Sequence, residues 1–301
     1  MRHPPIVAIQ GGLGNQLFQW FFAHRISEDS QFSLFPKIPT RPVAQIVYDL
    51  GLDPLISRCS HCKELQTDSR NPMKNGLIPR LFDYLWNVPA LSEFLHAFGY
   101  FHEDPRASTR AHRSPPRRIR YANGYFQKWR YIESQREIVS SELMPILEKT
   151  FEDLKSRFDF DKPYSVLHVR RGDYRTDQNP ETMIGSLSDE YFIEWARQFP
   201  SDRIVLLAEH RVEVEDLVST IKPFLVLDNT STTALETLAI MSSASFLLGS
   251  NSSLSWWGAW TSFINGGTVY LPSHWDEVGR FNSSDFHFPG CYTQPSFWET
   301  F

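Results

Sequence analysis

Residues 246–260 have the sequence FLLGSNSSLSWWGAW, an apolar run followed by a hydroxyl-rich turn and a tryptophan-rich segment. The run Phe246–Leu248 has the length and composition of a buried strand, and residues 254–263 predict a helix. The hydroxyl-rich turn therefore falls where a helix begins. Free backbone N–H groups and serine side chains bind anions at such a position. The alternative is a serine that only caps a helix of the core.

The candidate anion ligands of this turn are the four residues that follow Gly249, namely Ser250, Asn251, Ser252 and Ser253. Trp256 and Trp260 lie four residues apart and share one face of the predicted helix. We interpret the tryptophans Trp256 and Trp257 as packing residues rather than as a platform on which a sugar stacks.

The same alternation of strand and helix extends over the C-terminal half of the chain. After Pro163 the apolar patterns predict strands at 166–169, 203–208, 224–227, 246–248 and 268–271, and helices at 189–198, 213–220, 234–242 and 254–263. Such alternation is typical of a parallel sheet with right-handed crossovers, whose ligands bind beyond the carboxyl ends of the strands. The predicted fold class is therefore α/β.

The N-terminal part contains a second strand, turn and helix. Residues 6–10 are apolar, the turn Gly11-Gly12-Leu13-Gly14-Asn15-Gln16 follows, and an apolar stripe at helical spacing comes next. Because position 17 is Leu, the Gly-x-Gly-x-x-Gly pattern of dinucleotide-dependent oxidoreductases is incomplete, which disfavours that class. Residues 30–135 show little regular pattern, residues 131–158 are predicted helical, and we place a domain boundary between residues 160 and 161.

Composition limits the possible partners. The 301 residues carry a net charge of −5, which argues against a nucleic-acid partner. No apolar stretch approaches the roughly 18 residues that span a bilayer, so we expect no transmembrane segment and a cytoplasmic location. The six arginines between 106 and 120 leave a peripheral contact with a membrane open. Cys59 and Cys62 lack a second Cys/His pair nearby, so we predict no metal site.

A second cluster of polar residues ends the predicted strand 166–169, with the sequence His168-Val169-Arg170-Arg171-Gly172-Asp173-Tyr174. Alternation along the strand places His168 and Arg170 on the same face. A guanidinium group matches the oxygens of a phosphate, so two adjacent arginines at a strand end favour a multiply charged anion. A purely structural Arg–Asp pair is the alternative.

Four segments together resemble the α-1,2-fucosyltransferases of glycosyltransferase family 11. They are the turn and helix start at 11–19, Asn123-Gly124-Tyr125-Phe126-Gln127, the motif at 168–174 and the serine/tryptophan segment at 250–260. They occur in the order found in that family and span nearly the whole chain. The resemblance implies a GT-B fold, in which two Rossmann-like domains face each other across a cleft. Residues 1–160 would form the acceptor side and residues 161–301 the GDP-fucose domain.

The resemblance also implies an activity. It is the inverting transfer of L-fucose from GDP-fucose to the 2-hydroxyl of a terminal β-galactose, on an oligosaccharide or a lipid-linked glycan. No cofactor and no divalent metal are expected, and no Asp-x-Asp motif lies at a predicted strand end. A related enzyme that uses another GDP-sugar and a non-catalytic carbohydrate-binding protein remain alternatives.

Residue roles follow from the matching motifs. Arg170 would bind the β-phosphate of the leaving GDP, Arg171 would assist it or hold the loop, and His168 would lie against the nucleotide. Ser252 and Ser253 would donate hydrogen bonds to the pyrophosphate.

The remaining roles concern the fucose, the guanine and the base. Gly12, Gly14 and Asn15 would approach phosphate and fucose from the first domain, with Asn15 and Arg170 among the catalytic candidates. The family usually has Ser-Asp-Asp where this chain has Ala208-Glu209-His210. Glu209 is therefore the candidate for the guanine contact, and Asp228 is the second choice. Asp173 is the candidate general base, followed by Asp177.

Overall fold

The computed structural model describes residues 5–27, 32–36, 84–86, 88–103, 115–116, 118–176, 184–198 and 203–299. Contacts divide the chain into two compact units, Met1–Arg136 and Glu137–Phe301. Each unit contains a sheet in which all strand pairs are parallel. The predicted α/β class and its two Rossmann-like units are thereby confirmed.

The sheet of the first unit has the order β2-β1-β4-β3. Its strands are β1 (Ile6–Ile9), β2 (Ser33–Pro36), β3 (Tyr100–Glu103) and β4 (Tyr121–Gly124). Its helices are α1 (Leu13–Ile26), α2 (Pro89–Ala97) and α3 (Trp129–Glu133). The predicted strand, glycine turn and helix at the N-terminus are confirmed, and Phe22 of α1 stacks on Phe126 with ring centroids 3.8 Å apart.

The sheet of the second unit has the order β10-β9-β8-β5-β6-β7. Its strands are β5 (Ser165–Val169), β6 (Ile204–Ala208), β7 (Leu225–Leu227), β8 (Phe246–Leu248), β9 (Thr268–Pro272) and β10 (Tyr292–Gln294). Counted from β5, the strands stand in the order 3-2-1-4-5-6, which is the arrangement of the Rossmann fold. The order therefore reverses between β5 and β8.

The helices of the second unit lie where the sequence predicts them, except for the short helix Gly172–Thr176, which it does not predict. They are α4 (Arg136–Ile138), a π-helical stretch (Val139–Leu143), α5 (Met144–Phe158), α6 (Gly172–Thr176), α7 (Asp189–Gln198), α8 (Glu215–Ile221), α9 (Ala234–Ser242) and α10 (Ser253–Ile264). Within the described part of the chain, no helix is both long and apolar enough to cross a membrane.

The division by contacts lies earlier in the chain than the boundary placed between residues 160 and 161. Helix α5 packs on α9 of the second unit and buries Leu147, Phe151 and Leu154. The ring of Phe151 also lies 5.6 Å from that of Phe160, centroid to centroid. These contacts place α5 with the second unit, and the functions assigned to the two domains stay predictions.

The tryptophans of α10 belong to the core of the second unit. Trp256 and Trp257 are completely buried, and the indole of Trp256 stacks on that of Trp260. A methyl group on Gly258 would lie 2.6 Å from the sulfur of Met241, so α10 and α9 approach closely at this glycine. The interpretation of these tryptophans as packing residues is confirmed.

Candidate active site

The point where the strand order reverses lies between β5 and β8. These strands pair in parallel, with Leu167 opposite Leu248. Neighbouring strands are about 4.8 Å apart, so the residues that follow the two strands are also neighbours. Arg170 follows β5, and the turn 249–252 follows β8. The arginine motif and the serine motif therefore meet at one edge of the sheet, where open α/β sheets bind their ligands.

The start of α10 is built as a capped helix N-terminus. Ser252 is the N-cap, and its Oγ accepts a hydrogen bond from the backbone N–H of Leu254 at 3.2 Å. A serine that accepts in this way still has its own O–H to donate. Ser252 is buried and Ser253 half-buried. Ser252 can thus donate to an anion, which the positive end of the helix dipole would also attract.

A buried network lies beneath this turn. The Ser255 hydroxyl accepts a hydrogen bond from the backbone N–H of Ser250 at 3.1 Å and lies 3.0 Å from the Ser250 Oγ. It also bonds to Nδ1 of His168 on β5. Burial, and then the charge of Arg170, lower the pKa of His168 to about 3. His168 is therefore neutral at physiological pH and couples β5 to the serine turn.

Asn251 is held by the protein itself. Its Nδ2 donates to the carbonyls of Gly185 at 3.0 Å and Trp275 at 3.3 Å, and only 1% of the residue is exposed. The backbone carbonyl of Asn251 accepts a hydrogen bond from the Tyr174 hydroxyl at 3.4 Å. Among the described residues its Oδ1 has no hydrogen-bond partner. This arrangement makes Asn251 an anchor of the turn.

Arg170 stands at the end of β5, and part of its side chain is accessible. Its side chain is 29% exposed, and Nη1 lies 2.7 Å from Oε2 of Glu209. Its guanidinium carbon also lies 5.5 Å from the centre of the Tyr174 ring. Arg170 is thus both oriented by neighbours and accessible to an anionic ligand.

Arg171 is placed very differently from its neighbour. It is 2% exposed, and its guanidinium donates to the carbonyl of Glu213 at 2.5 Å and to Asp189. Its Nε lies 3.4 Å from Oε1 of Glu299. Arg175 pairs with the same Glu299 carboxylate at 2.8 Å. Of the two roles predicted for Arg171, these contacts favour holding the loop.

The three aspartates predicted as base or guanine ligand differ in how far the structure describes them. Asp173 lies in α6, where its backbone is described but its side chain is not, and Asp177 falls outside the described residues. Asp228 follows β7, and its Oδ1 accepts hydrogen bonds from Thr230 Oγ1 at 2.6 Å and Ser231 Oγ at 2.9 Å. These bonds, that of Thr230 first, lower the pKa of Asp228 to about 2. Asp228 is therefore ionised and shapes the turn before α9.

The first unit has a comparable edge between β1 and β4. Gly11 adopts a positive φ of 81°, and Gly12 is the N-cap residue of α1. The Gln127 Nε2 donates to Asn15 Oδ1 at 2.7 Å, and the Gln19 Nε2 donates to the Gly124 carbonyl at 3.0 Å. The turn after β1 and the segment after β4 therefore form one polar surface.

Glycine is required at the first position of this turn. A methyl group on Gly11 would lie 2.5 Å from Nδ2 of Asn15, whereas one on Gly12 would meet nothing within 4 Å. Gly12 is exposed, Asn15 half-buried and Gly14 buried within α1. Gly12 and Asn15 are thus accessible, and Gly14 serves the packing of the helix.

Sequence reasoning did not include two polar residues of these edges. Ser255 and Gln127 both lie inside quoted motifs, and their place in the network depends on partners 87 and 112 residues away. The sequence pointed to these two residues only through their positions inside the motifs. In the part of the chain that the structure describes, no three His, Cys, Asp or Glu side chains gather as metal ligands. Cys59 and Cys62 lie outside that part.

Comparison with known proteins connects this geometry to a reaction class. No family model matches the chain. The chain is 24% identical over 294 residues to the alpha-1,2-colitosyltransferase of Escherichia coli. The matched region covers 93% of this chain and 95% of that protein. This relationship supports a glycosyltransferase.

One solved structure is also similar to this chain. A glycosyl transferase family 9 protein from Veillonella parvula is 11% identical, with a TM-score of 0.45 over 100% of this chain and 90% of that one. Because this TM-score is low, the fold is assigned from the order and direction of the strands in the two sheets.

Proposed function

We propose that this protein is an inverting α-1,2-fucosyltransferase. It would move L-fucose from GDP-fucose to the 2-hydroxyl of a terminal β-galactose on an oligosaccharide or lipid-linked glycan. The motifs that resemble glycosyltransferase family 11 support this reaction, and so does the α-1,2 linkage in the name of the Escherichia coli relative.

One observation carries the proposal. The partly exposed side chain of Arg170 and the capped start of α10 lie beyond neighbouring strands, where the order of the second sheet reverses. A charge-assisted hydrogen bond contributes roughly 1.5–3 kcal/mol, so a diphosphate held by both elements gains several such contacts.

The proposed reaction is a single displacement. The acceptor 2-hydroxyl oxygen forms a bond to the fucose anomeric carbon from the face opposite GDP, and the bond from that carbon to the β-phosphate oxygen breaks. GDP leaves with the bonding electrons, and the hydroxyl proton passes to a base, for which Asp173 is the candidate. Donors placed at the oxygen where charge develops usually contribute most to such a step. We assign this task to Arg170, Ser252 and Ser253.

The first unit would contribute the uncharged groups. We assign the contact with the fucose to Gly12 and Asn15, because amides suit the hydroxyls of a sugar. Asp228 is the better of the two guanine candidates, since the hydrogen bonds from Thr230 and Ser231 all go to its Oδ1 while Glu209 is paired to Arg170. No cofactor and no metal are part of this proposal.

A second donor is favoured by the curated relative. Colitose is fucose without its 3-hydroxyl, and the relative is named for it. The discriminating experiment offers GDP-fucose, GDP-colitose and GDP-mannose together with a panel of β-galactosides, and determines the linkage by NMR. We expect an α-1,2-fucosyl product. Transfer of another sugar would show that the donor is not GDP-fucose. Binding of glycans without binding of GDP would indicate a carbohydrate-binding protein instead.

A further inference from the structure

Glu209 and Arg170 occupy equivalent places on neighbouring strands. Val169 of β5 is paired in register with Ala208 of β6, so Arg170 and Glu209 are the next residue on each strand. The guanidinium Nη1 lies 2.7 Å from the Glu209 Oε2, and both side chains are 29% exposed. The pair therefore stands at the sheet edge where we propose that the diphosphate binds.

Gly172 makes room for this carboxylate. A methyl group on its Cα would lie 2.0 Å from Glu209 Oε2 and 2.9 Å from Cδ. Gly172 also has a positive φ of 24°. The glycine that follows the two arginines thus lets Glu209 lie against the loop and reach Arg170.

This geometry does not suit the guanine contact that the sequence predicts for Glu209. The edge of guanine presents N1–H and the 2-amino group, two adjacent donors that a carboxylate binds with both oxygens. One of the two oxygens of Glu209 is already 2.7 Å from an arginine nitrogen.

We infer that Glu209 is a positioning residue, which holds the Arg170 guanidinium at the tip of β5 for the leaving diphosphate and does not bind guanine. This inference rests on the proposed function. A half-exposed ion pair adds little to stability. Its effect on catalysis would be larger, because a flexible arginine loses rotamer freedom when it binds and a pre-oriented one loses less.

Three single variants and one double variant test this role. Glu209→Ala should lower kcat for GDP-fucose by about 10–100-fold, the range of a lost charge-assisted contact. Glu209→Gln should keep kcat within about fivefold of the wild type, because an amide oxygen at the position of Oε2, 2.7 Å from Nη1, can accept a hydrogen bond from the guanidinium. Gly172→Ala should reproduce the loss seen in Glu209→Ala by displacing the carboxylate. In the Arg170→Ala background, Glu209→Ala should cost almost nothing more, since residues that act as a unit are not additive.

Nucleotide binding separates positioning from recognition of guanine. Calorimetry with GMP, which has the base but no β-phosphate, should give the same affinity for Glu209→Ala and the wild type, and the preference for GDP over ADP should persist. Weaker GMP binding, a lost preference for GDP, a glutamine variant as impaired as the alanine variant, or additive losses with Arg170→Ala would each overturn the inference. Failure of the wild type to bind GDP would instead contradict the proposed function.

Discussion

The two parallel sheets, four-stranded in the first unit and six-stranded in the second, carry different side chains at their carboxyl edges. The second edge lies where the strand order reverses, and each edge places a helix directly after the turn that follows a strand. The motif at the first edge contributes glycine and amides, with Asn15 bonded to Gln127. The motif at the second edge contributes Arg170, Arg171 and a serine-capped helix. Uncharged amides suit sugar hydroxyls, and a cation beside free N–H groups suits a diphosphate. In our proposal the sheet edges supply the locations, and the side chains select the ligand at each edge.

The strongest test of the cationic edge is the removal of Arg170. Arg170→Ala should lower kcat for GDP-fucose by about 10²–10³-fold, the usual cost of a lost donor at a developing oxyanion. Asp173→Asn should lose less, because departure of GDP drives the reaction that we propose. Steady-state rates compare the two, and Arg197→Ala, which removes an exposed arginine of α7, is the matched control. A nearly active Arg170→Ala enzyme would refute the division between the edges.

Removal of Arg171 sharpens the same comparison. It separates the binding of the diphosphate, proposed for Arg170, from the holding of the loop, proposed for Arg171. Arg171→Met should lower the free energy of unfolding, since Asp189 and Glu299 lose a buried partner. The loss should be smaller than the roughly 3–5 kcal/mol of a fully buried pair, because Asp189 is one-third exposed. Denaturant titration of Arg171→Met and Arg170→Ala measures the difference. Equal stability of the two variants would show that Arg171 does not hold the loop.

The neutral edge is tested by its amide pair. Asn15→Ala and Gln127→Ala should each reduce transfer by about tenfold, and the double variant should lose little more, because the 2.7 Å bond makes the two side chains act together. Neither variant should change the affinity for GDP, which the other edge binds in our proposal. Calorimetry and transfer rates provide both readouts. A loss of GDP affinity equal to that of Arg170→Ala would remove the distinction between the edges.

A test of stability rather than of transfer concerns His168, whose side chain connects β5 to Ser255 at the cationic edge. Burial, and then the charge of Arg170, lower the pKa of His168 to about 3, well below the value of about 6.5 of an unfolded histidine. The neutral form therefore stabilises the fold fully above about pH 6.5, and this contribution is lost as the pH falls toward 3. The melting temperature of His168→Gln should depend less on pH over this window than that of the wild type. His274→Gln, at an exposed site, is the control, and parallel curves for all three proteins would contradict this role.

The two edges also differ in how much of them can be predicted from sequence. The strands between 163 and 271, and helices α7 to α10, are predicted within a few residues, because each of these segments has its own apolar period. Strands β3 and β4 were missed, since four residues such as Tyr121–Gly124 show no period, and Asn123-Gly124 suggests a turn.

Pairings between distant residues were missed for another reason. The contact of Arg170 with Glu209 depends on strand register, and that of Arg171 with Glu299 joins residues 128 positions apart. No local pattern records either contact. The motifs therefore located the site, and its internal geometry required the folded chain.

A crystal structure of the protein with bound GDP tests the central claim most directly. Our account predicts that the diphosphate lies within hydrogen-bonding distance of the Arg170 guanidinium and of the Ser252 or Ser253 donors, beyond the ends of β5 and β8. A diphosphate bound anywhere else on the molecule would contradict it.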